Sequence, residues 1–333
     1  MDKKTFTITL GDQAENHVGM QKIGTLAPEG FNKEDLNRAK KWFEDRKIQC
    51  ELINCSDLLE NNENKYDGDA YLLIVRNGLD IVLKESDNSS LSTSDDFFYE
   101  QDSLKKDTKA YMYGRVVNKT ARYNLCFGQE NQEPDYQNGK GRIVSFIDVG
   151  LLNRTRNFMQ NIIGQKANYL MAEANYYYDI KKCGIGFHGD SERKKVIGIR
   201  LGASLPLHFQ WFKKSIPVGS RLELSLNHGD IYIMSEKTTG NDWKKKNILT
   251  LRHAAGCPKY LTIKKKSEKN IEKNIEKNIK KNTEKDTKKD TKKNTEKDTK
   301  KNTKKDCKND TKNDINNNTD KHTNKNSKNI IFD

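Results

Sequence analysis

The sequence predicts an α+β chain in which a sandwich or barrel of short strands, with flanking helices, follows a small α/β unit and precedes a disordered tail. Three observations carry this. After residue 163, seven short apolar runs recur between glycines. The first hundred residues hold strand-like alternation and a helix of their own, and from Ile271 onward a β-branched residue or a stand-in returns every fourth position in a Lys/Asn/Asp background.

Taken in order, Phe6-Thr7-Ile8-Thr9-Leu10 alternates as a strand, and Asn32 can cap a helix that puts Leu36, Ala39, Trp42 and Phe43 on one face. Strands are expected at 48–53 and 70–75, and Arg76-Asn77-Gly78-Leu79 reads as a turn into 80–83. These elements make residues 1–100 a small α/β domain. His17, in its Glu-Asn-His-Val-Gly stretch, is read as a structural or exposed loop residue, and no chemistry is assigned to this unit. An amphipathic helix spans 148–163, with Leu152, Met159 and Ile163 inward. Strands are then expected at 168–177, 184–188, 196–201, 208–212, 221–226, 230–234 and 248–252, all within a second domain, 105–263. In 264–333 a period of four drifts off any one helix face, and the polar residues between cannot build a core.

Charge supports the same division. The 333 residues carry 61 Lys+Arg and 47 Asp+Glu, a net +14. Residues 264–333 hold 23 Lys and 13 Asp+Glu, or +10, which leaves 38 − 34 = +4 for residues 1–263. Basic composition therefore does not make the folded part a nucleic-acid binder. The six cysteines are scattered with no CxxC, no run is long and apolar enough for a membrane span, and Met1-Asp2-Lys3-Lys4-Thr5 lacks a signal-peptide core. An intracellular protein with reduced thiols is expected.

Chemistry concentrates at Phe187-His188-Gly189-Asp190. In extended backbone, His188 and Asp190 project to one side, and an imidazole plus a carboxylate completed by a distant histidine make the facial triad of non-haem Fe(II) oxygenases. A bare HxD is weak, and the surrounding residues add specificity. Gly186-Phe187-His188-Gly189-Asp190-Ser191-Glu192 is followed by Val196-Ile197-Gly198-Ile199-Arg200-Leu201-Gly202-Ala203-Ser204. Tyr178 precedes His188 by ten residues, and Asn227–Met234 and Asn247-Ile248-Leu249-Thr250-Leu251-Arg252 follow in order. Over residues 111–256 this resembles the AlkB family of 2-oxoglutarate/Fe(II)-dependent dioxygenases, in its H-x-D-x-E, "lGa", "hG(D/S)llvM" and "R-x-N-L-T-F-R" segments. The AT-rich-codon residues and repeat tail also resemble proteins of giant DNA viruses or some protists.

The resemblance implies a double-stranded β-helix (jelly roll), with Fe(II) as cofactor and 2-oxoglutarate as co-substrate. His188 and Asp190 would be proximal iron ligands, Arg252 and Lys246 would take the co-substrate's carboxylate, and Tyr178 would hydrogen-bond to it. No catalytic residue beyond the metal centre is assigned. Where the family has its distal histidine the chain reads Asp242-Trp243-Lys244-Lys245-Lys246. Of His228 and His253, His253 is the preferred third ligand, although alternation sets it opposite Arg252 and a local distortion would have to turn it inward. The family's Asn-x-Tyr is altered, with Tyr176 at the Asn position and Asn175 one residue out of register. The family's substrate lid falls between Gly114 and Ile143, where Arg115, Lys119, Arg122 and Tyr123 offer charges for phosphates and a ring for stacking. The expected activity is oxidative demethylation or hydroxylation of a nucleic acid or protein. The alternative is a catalytically inactive jelly-roll module that binds a nucleic acid or protein partner.

Overall fold

Thr5–Gly11 forms a strand because apolar Phe6, Ile8 and Leu10 alternate with Thr5, Thr7 and Thr9, yet all seven residues are buried, so both faces of the strand are covered. In the computed structural model, which describes residues 3–60, 64–87, 89 and 91–263, this strand lies in the middle of the fold. The tail expected to be disordered, 264–333, lies outside the described residues.

From the N-terminus the elements are β1 (Thr5–Gly11), β2 (Gln13–Glu15), β3 (Lys22–Gly24), α1 (Lys33–Glu44), β4 (Cys50–Asn54), β5 (Tyr71–Val75), α2 (Gly78–Ser86) and α3 (Ser94–Ser103). Then come β6 (Lys109–Met112), β7 (Arg115–Asn118), β8 (Tyr123–Gly128), β9 (Ile143–Ser145) and α4 (Gly150–Ile163). The remainder is β10 (Met171–Tyr177), β11 (Gly184–His188), β12 (Val196–Gly202), β13 (Leu205–Lys213), β14 (Ile216–Leu226), β15 (Ile231–Met234), α5 (Glu236–Thr239), β16 (Thr250–Gly256) and α6 (Pro258–Leu261). The chain is mixed α+β and mostly sheet. No described helix is long and apolar enough to cross a membrane.

An eight-stranded sheet runs β4-β5-β15-β12-β1-β10-β8-β9, and a four-stranded sheet runs β11-β16-β13-β14. Alternation divides each strand of the large sheet between two cores. Phe6, Ile8, Leu10, Ile197, Ile199, Leu201, Ile231 and Ile233 pack on one face with α1, α2, α3 and α4, through side chains such as Phe43, Leu79, Phe97 and Met159. On the other face Leu72, Ile74, Val196 and Met234 meet Leu207, Phe209, Trp211 and Leu251 of the small sheet. The result is three layers, helices on the large sheet on the small sheet.

Two expectations are corrected. Residues 1–100 and 105–263 are not separate domains: β1, β4 and β5 are strands of the same sheet as β10, β12 and β15, and residues 1–263 form one compact unit. The reason is hydrogen bonding, since β1 pairs along one edge with β12 and along the other with β10. Residues 80–83 are helical rather than extended. Asn77 takes the left-handed conformation (φ 49°) and starts α2 directly, so the turn feeds a helix.

Candidate metal centre

His188, Asp190 and His253 converge in a cavity of about 370 Å³ lined by both sheets. His188 sits at the end of β11, directly opposite His253 on β16. A bulge makes this possible: Ile185 pairs with Ala255 and His188 with His253, so three steps on one strand match two on the other and His188 turns inward. Asp190 lies just past the strand end, where its N–H donates to the carbonyl of Thr239 at 2.9 Å. Asp190 Oδ1 is 3.6 Å from His188 Nε2 and 3.5 Å from His253 Nε2, and the ligand atoms lie within 4.8 Å of one another. Ligands at right angles on one ion, with bonds of about 2.1 Å, stand roughly 3 Å apart, so small side-chain rotations would close the set on a cation.

The electrostatics favour that. Burial, and then the neighbouring His253, push the His188 imidazole down to about 3. Its Nδ1 is 2.8 Å from the Gly186 carbonyl, which fixes the proton on Nδ1 and leaves Nε2 as a lone pair aimed at Asp190. Burial pushes the Asp190 carboxyl up, but His253 and Arg193 outweigh it and hold it below the usual carboxylate range. An acceptor nitrogen therefore faces a carboxylate oxygen with no proton of its own to share, an arrangement a cation would relieve. Arg193 stands 3.8 Å from the other oxygen, Oδ2, and is itself held by Glu173 and Glu192 at 2.7 Å each.

Other expected site residues lie elsewhere. Arg252 points away from the cavity. Its guanidinium stacks on Phe212 (4.2 Å) and packs by Trp243 (5.3 Å), because it is one residue from inward-facing His253 on a regular strand. His253 needs no local distortion to face inward. Lys246 is exposed in the loop before β16 rather than on the strand. Tyr178 follows the end of β10, stacks on Tyr123 (4.9 Å) and donates to the Thr120 carbonyl, outside the cavity lining. His228 accepts from Gly202 N–H and lies 3.3 Å from Asp95. Of the expected lid, Arg115 is exposed on the β6–β7 hairpin and Tyr123 is in the Tyr178 stack. Lys119 is tied to Asn16 and Asn124, and only Arg122 lines the cavity.

No protein-family model matches the chain. It is 52% identical over 259 residues, 78% of its own length and 98% of the relative's, to the uncharacterized protein R156 of Acanthamoeba polyphaga mimivirus. The chain belongs to the family of this giant-virus protein.

Several cavity residues of this family member lie outside the HxD motif. Thr7, Thr9, Asn16 and His17 come from the N-terminal segment to which no chemistry was assigned. Asn175 and Tyr177, spaced Asn-x-Tyr, both line the cavity, and Asn175 accepts from Arg122 Nε at 2.6 Å and from Asn124 at 2.8 Å. Arg200, in the middle of an otherwise apolar strand, also faces in. A single charge inside Val-Ile-Gly-Ile-Arg-Leu-Gly was the sequence signal available for it.

Proposed function

We propose that this chain is an AlkB-like Fe(II)- and 2-oxoglutarate-dependent oxygenase, on a double-stranded β-helix whose two facing sheets enclose the metal centre. The observation that supports it is the His188, Asp190 and His253 cluster, two imidazoles and one carboxylate on one side of a cavity, the donor set of a facial triad that leaves other positions for co-substrate and oxygen. The residues present fit ferrous iron: the acceptor atoms converge and the Gly186 carbonyl fixes the coordinating nitrogen of His188. Bound there, iron with a 2-oxo acid and dioxygen supplies an oxidant strong enough for a C–H bond.

The chain's own residues do the rest. Arg193 draws on Asp190 Oδ2 and leaves Oδ1 toward the imidazoles. Val196, Leu207 and Met234 give the cavity an apolar wall. The Asn175–Arg122 hydrogen bond fixes a guanidinium in the cavity wall, facing whatever enters. The target, in this reading, remains a nucleic acid or a protein.

Metal content and succinate production test this on the full chain. Stoichiometric iron, 2-oxoglutarate turnover and loss of both in His188→Ala are the expected results; equal metal in that variant would overturn the assignment. The absence of Lys246 and Arg252 from the cavity favours a second reading, a module that binds without turnover. Metal retained by His188 with no 2-oxoglutarate consumed would decide for it.

A further inference from the structure

The cavity contains a cation that its described surroundings do not neutralise. Arg200 is 1% exposed, on β12 between β1 and β15. Its Nη1 donates to Thr7 Oγ1 at 2.7 Å, directly across the β1–β12 pair, while Nε is buried with no hydrogen-bond partner. Among the described residues it makes no ion pair. The carboxylate that most affects it, Asp230, is already engaged by Arg76 Nη1 (2.7 Å) and by the N–H groups of Asn77 and Asn227 (2.9 Å each). Two phenols, Tyr232 and Tyr177, stand near Arg200, and both line the cavity. Tyr232 is set over Gly198, its cross-strand partner, where any Cβ would stand within 2 Å of the ring (1.9 Å to its nearest carbon). Burying a guanidinium with one hydrogen bond costs far more than that bond returns, so such a group is retained when a ligand supplies the missing anion.

We propose that Arg200, Thr7, Tyr177 and Tyr232 form a carboxylate site that anchors the far end of a short dicarboxylate whose 2-oxo acid end reaches the His188–Asp190–His253 cluster. A planar fork flanked by hydroxyls matches a carboxylate, and one buried cation balances one negative charge, whereas a phosphate dianion would keep a second charge unpaired. The identity of the ligand as 2-oxoglutarate rests on the oxygenase reading. The anion site itself rests on Arg200.

Calorimetric titration of the full chain with 2-oxoglutarate, in the presence of Mn(II) and without oxygen turnover, tests it. Mn(II) affinity is measured separately on the same samples. Arg200→Gln is expected to weaken 2-oxoglutarate about 100-fold while Mn(II) affinity stays within about twofold, and Arg252→Gln to change neither. Ligand-free Arg200→Met should melt no lower than the parent protein, because it removes an unpaired buried charge, whereas a structural arginine would lose stability. Thr7→Val, which removes only the Oγ1 contact, should weaken 2-oxoglutarate about tenfold and covers the case in which the Arg200 variants do not fold. Unchanged 2-oxoglutarate affinity in either Arg200→Gln or Thr7→Val overturns the site, as does a loss confined to Arg252→Gln. If the parent chain binds 2-oxoglutarate through Arg200 but holds no Mn(II), the carboxylate site stands and the oxygenase reading falls.

Discussion

Lys119 holds a half-buried ammonium: Nζ donates to Asn16 Oδ1 at 2.6 Å and Asn124 Oδ1 at 2.9 Å, and burial pushes its pKa down to about 8. An unfolded lysine holds its proton to about 10.4, so between these values the unfolded chain binds more protons and the folded state gains stability as pH rises. Below pH 8 both states are charged and this group adds no slope. Relative to Lys119→Gln, the parent protein should therefore become more resistant to urea from pH 8 to 10, by at most about 1.4 kcal/mol per pH unit. A pH-independent difference would show that the ammonium remains hydrated. The same scale explains why some site residues were legible and others not. His188 and Asp190 stand in a local motif. Arg252 and His253 were correctly set on opposite faces by alternation, but which face looks inward was unreadable because every residue of β16 is buried. At Tyr176-Tyr177-Tyr178, three identical side chains in a row erase the alternation that would have singled out Tyr177.

Elements decide what the motif can do. Strict alternation from Ile185 would send His188 outward, and the bulge in β11 reverses it. Asp190 depends on two loops that touch through their glycines: a Cβ on Gly189 would lie 2.0 Å from the Gly240 carbonyl oxygen, beside the Thr239 carbonyl that receives Asp190 N–H. Gly189→Ala must push these segments apart and carry Asp190 away from the imidazoles. Mn(II) affinity, followed by the metal's magnetic resonance signal, should fall at least tenfold in Gly189→Ala. Gly186→Ala should hold the metal as the parent does, because its added Cβ would meet nothing closer than the Tyr260 carbonyl at 3.4 Å. Equal affinities in the two variants would show that the loop contact does not place Asp190. Helix α1 is the opposite case: it is readable from Asn32, whose side chain and that of Asp35 cap each other's backbone N–H groups, all within four residues.

Across the whole molecule, individual strands were largely legible and their order was not. The local pattern identifies Phe6–Leu10 as extended, but nothing local says that Thr5 stands opposite Tyr177 and Gly202, more than 170 residues away. That pairing merges the N-terminal hundred residues with the rest: β1 fills the gap between β12 and β10, contributes Phe6, Ile8 and Leu10 to the helix-side core, and brings Thr7 against Arg200 in the cavity. A fragment of residues 105–263 would leave two open strand edges in the middle of a sheet and a core without Phe6, Ile8 and Leu10 of β1 or the buried side chains of β5, α1, α2 and α3, such as Leu73, Phe43, Leu79 and Phe97. It should fail to fold, with no cooperative thermal transition and no dispersed amide signals. Residues 1–263, which hold both sheets and all the described helices, should unfold in one transition at the temperature of the full chain. If residues 105–263 alone gave a cooperative transition and bound Mn(II) as the full chain does, the first strand would be an accessory to the fold, and the N-terminal segment would have no part in building the cavity.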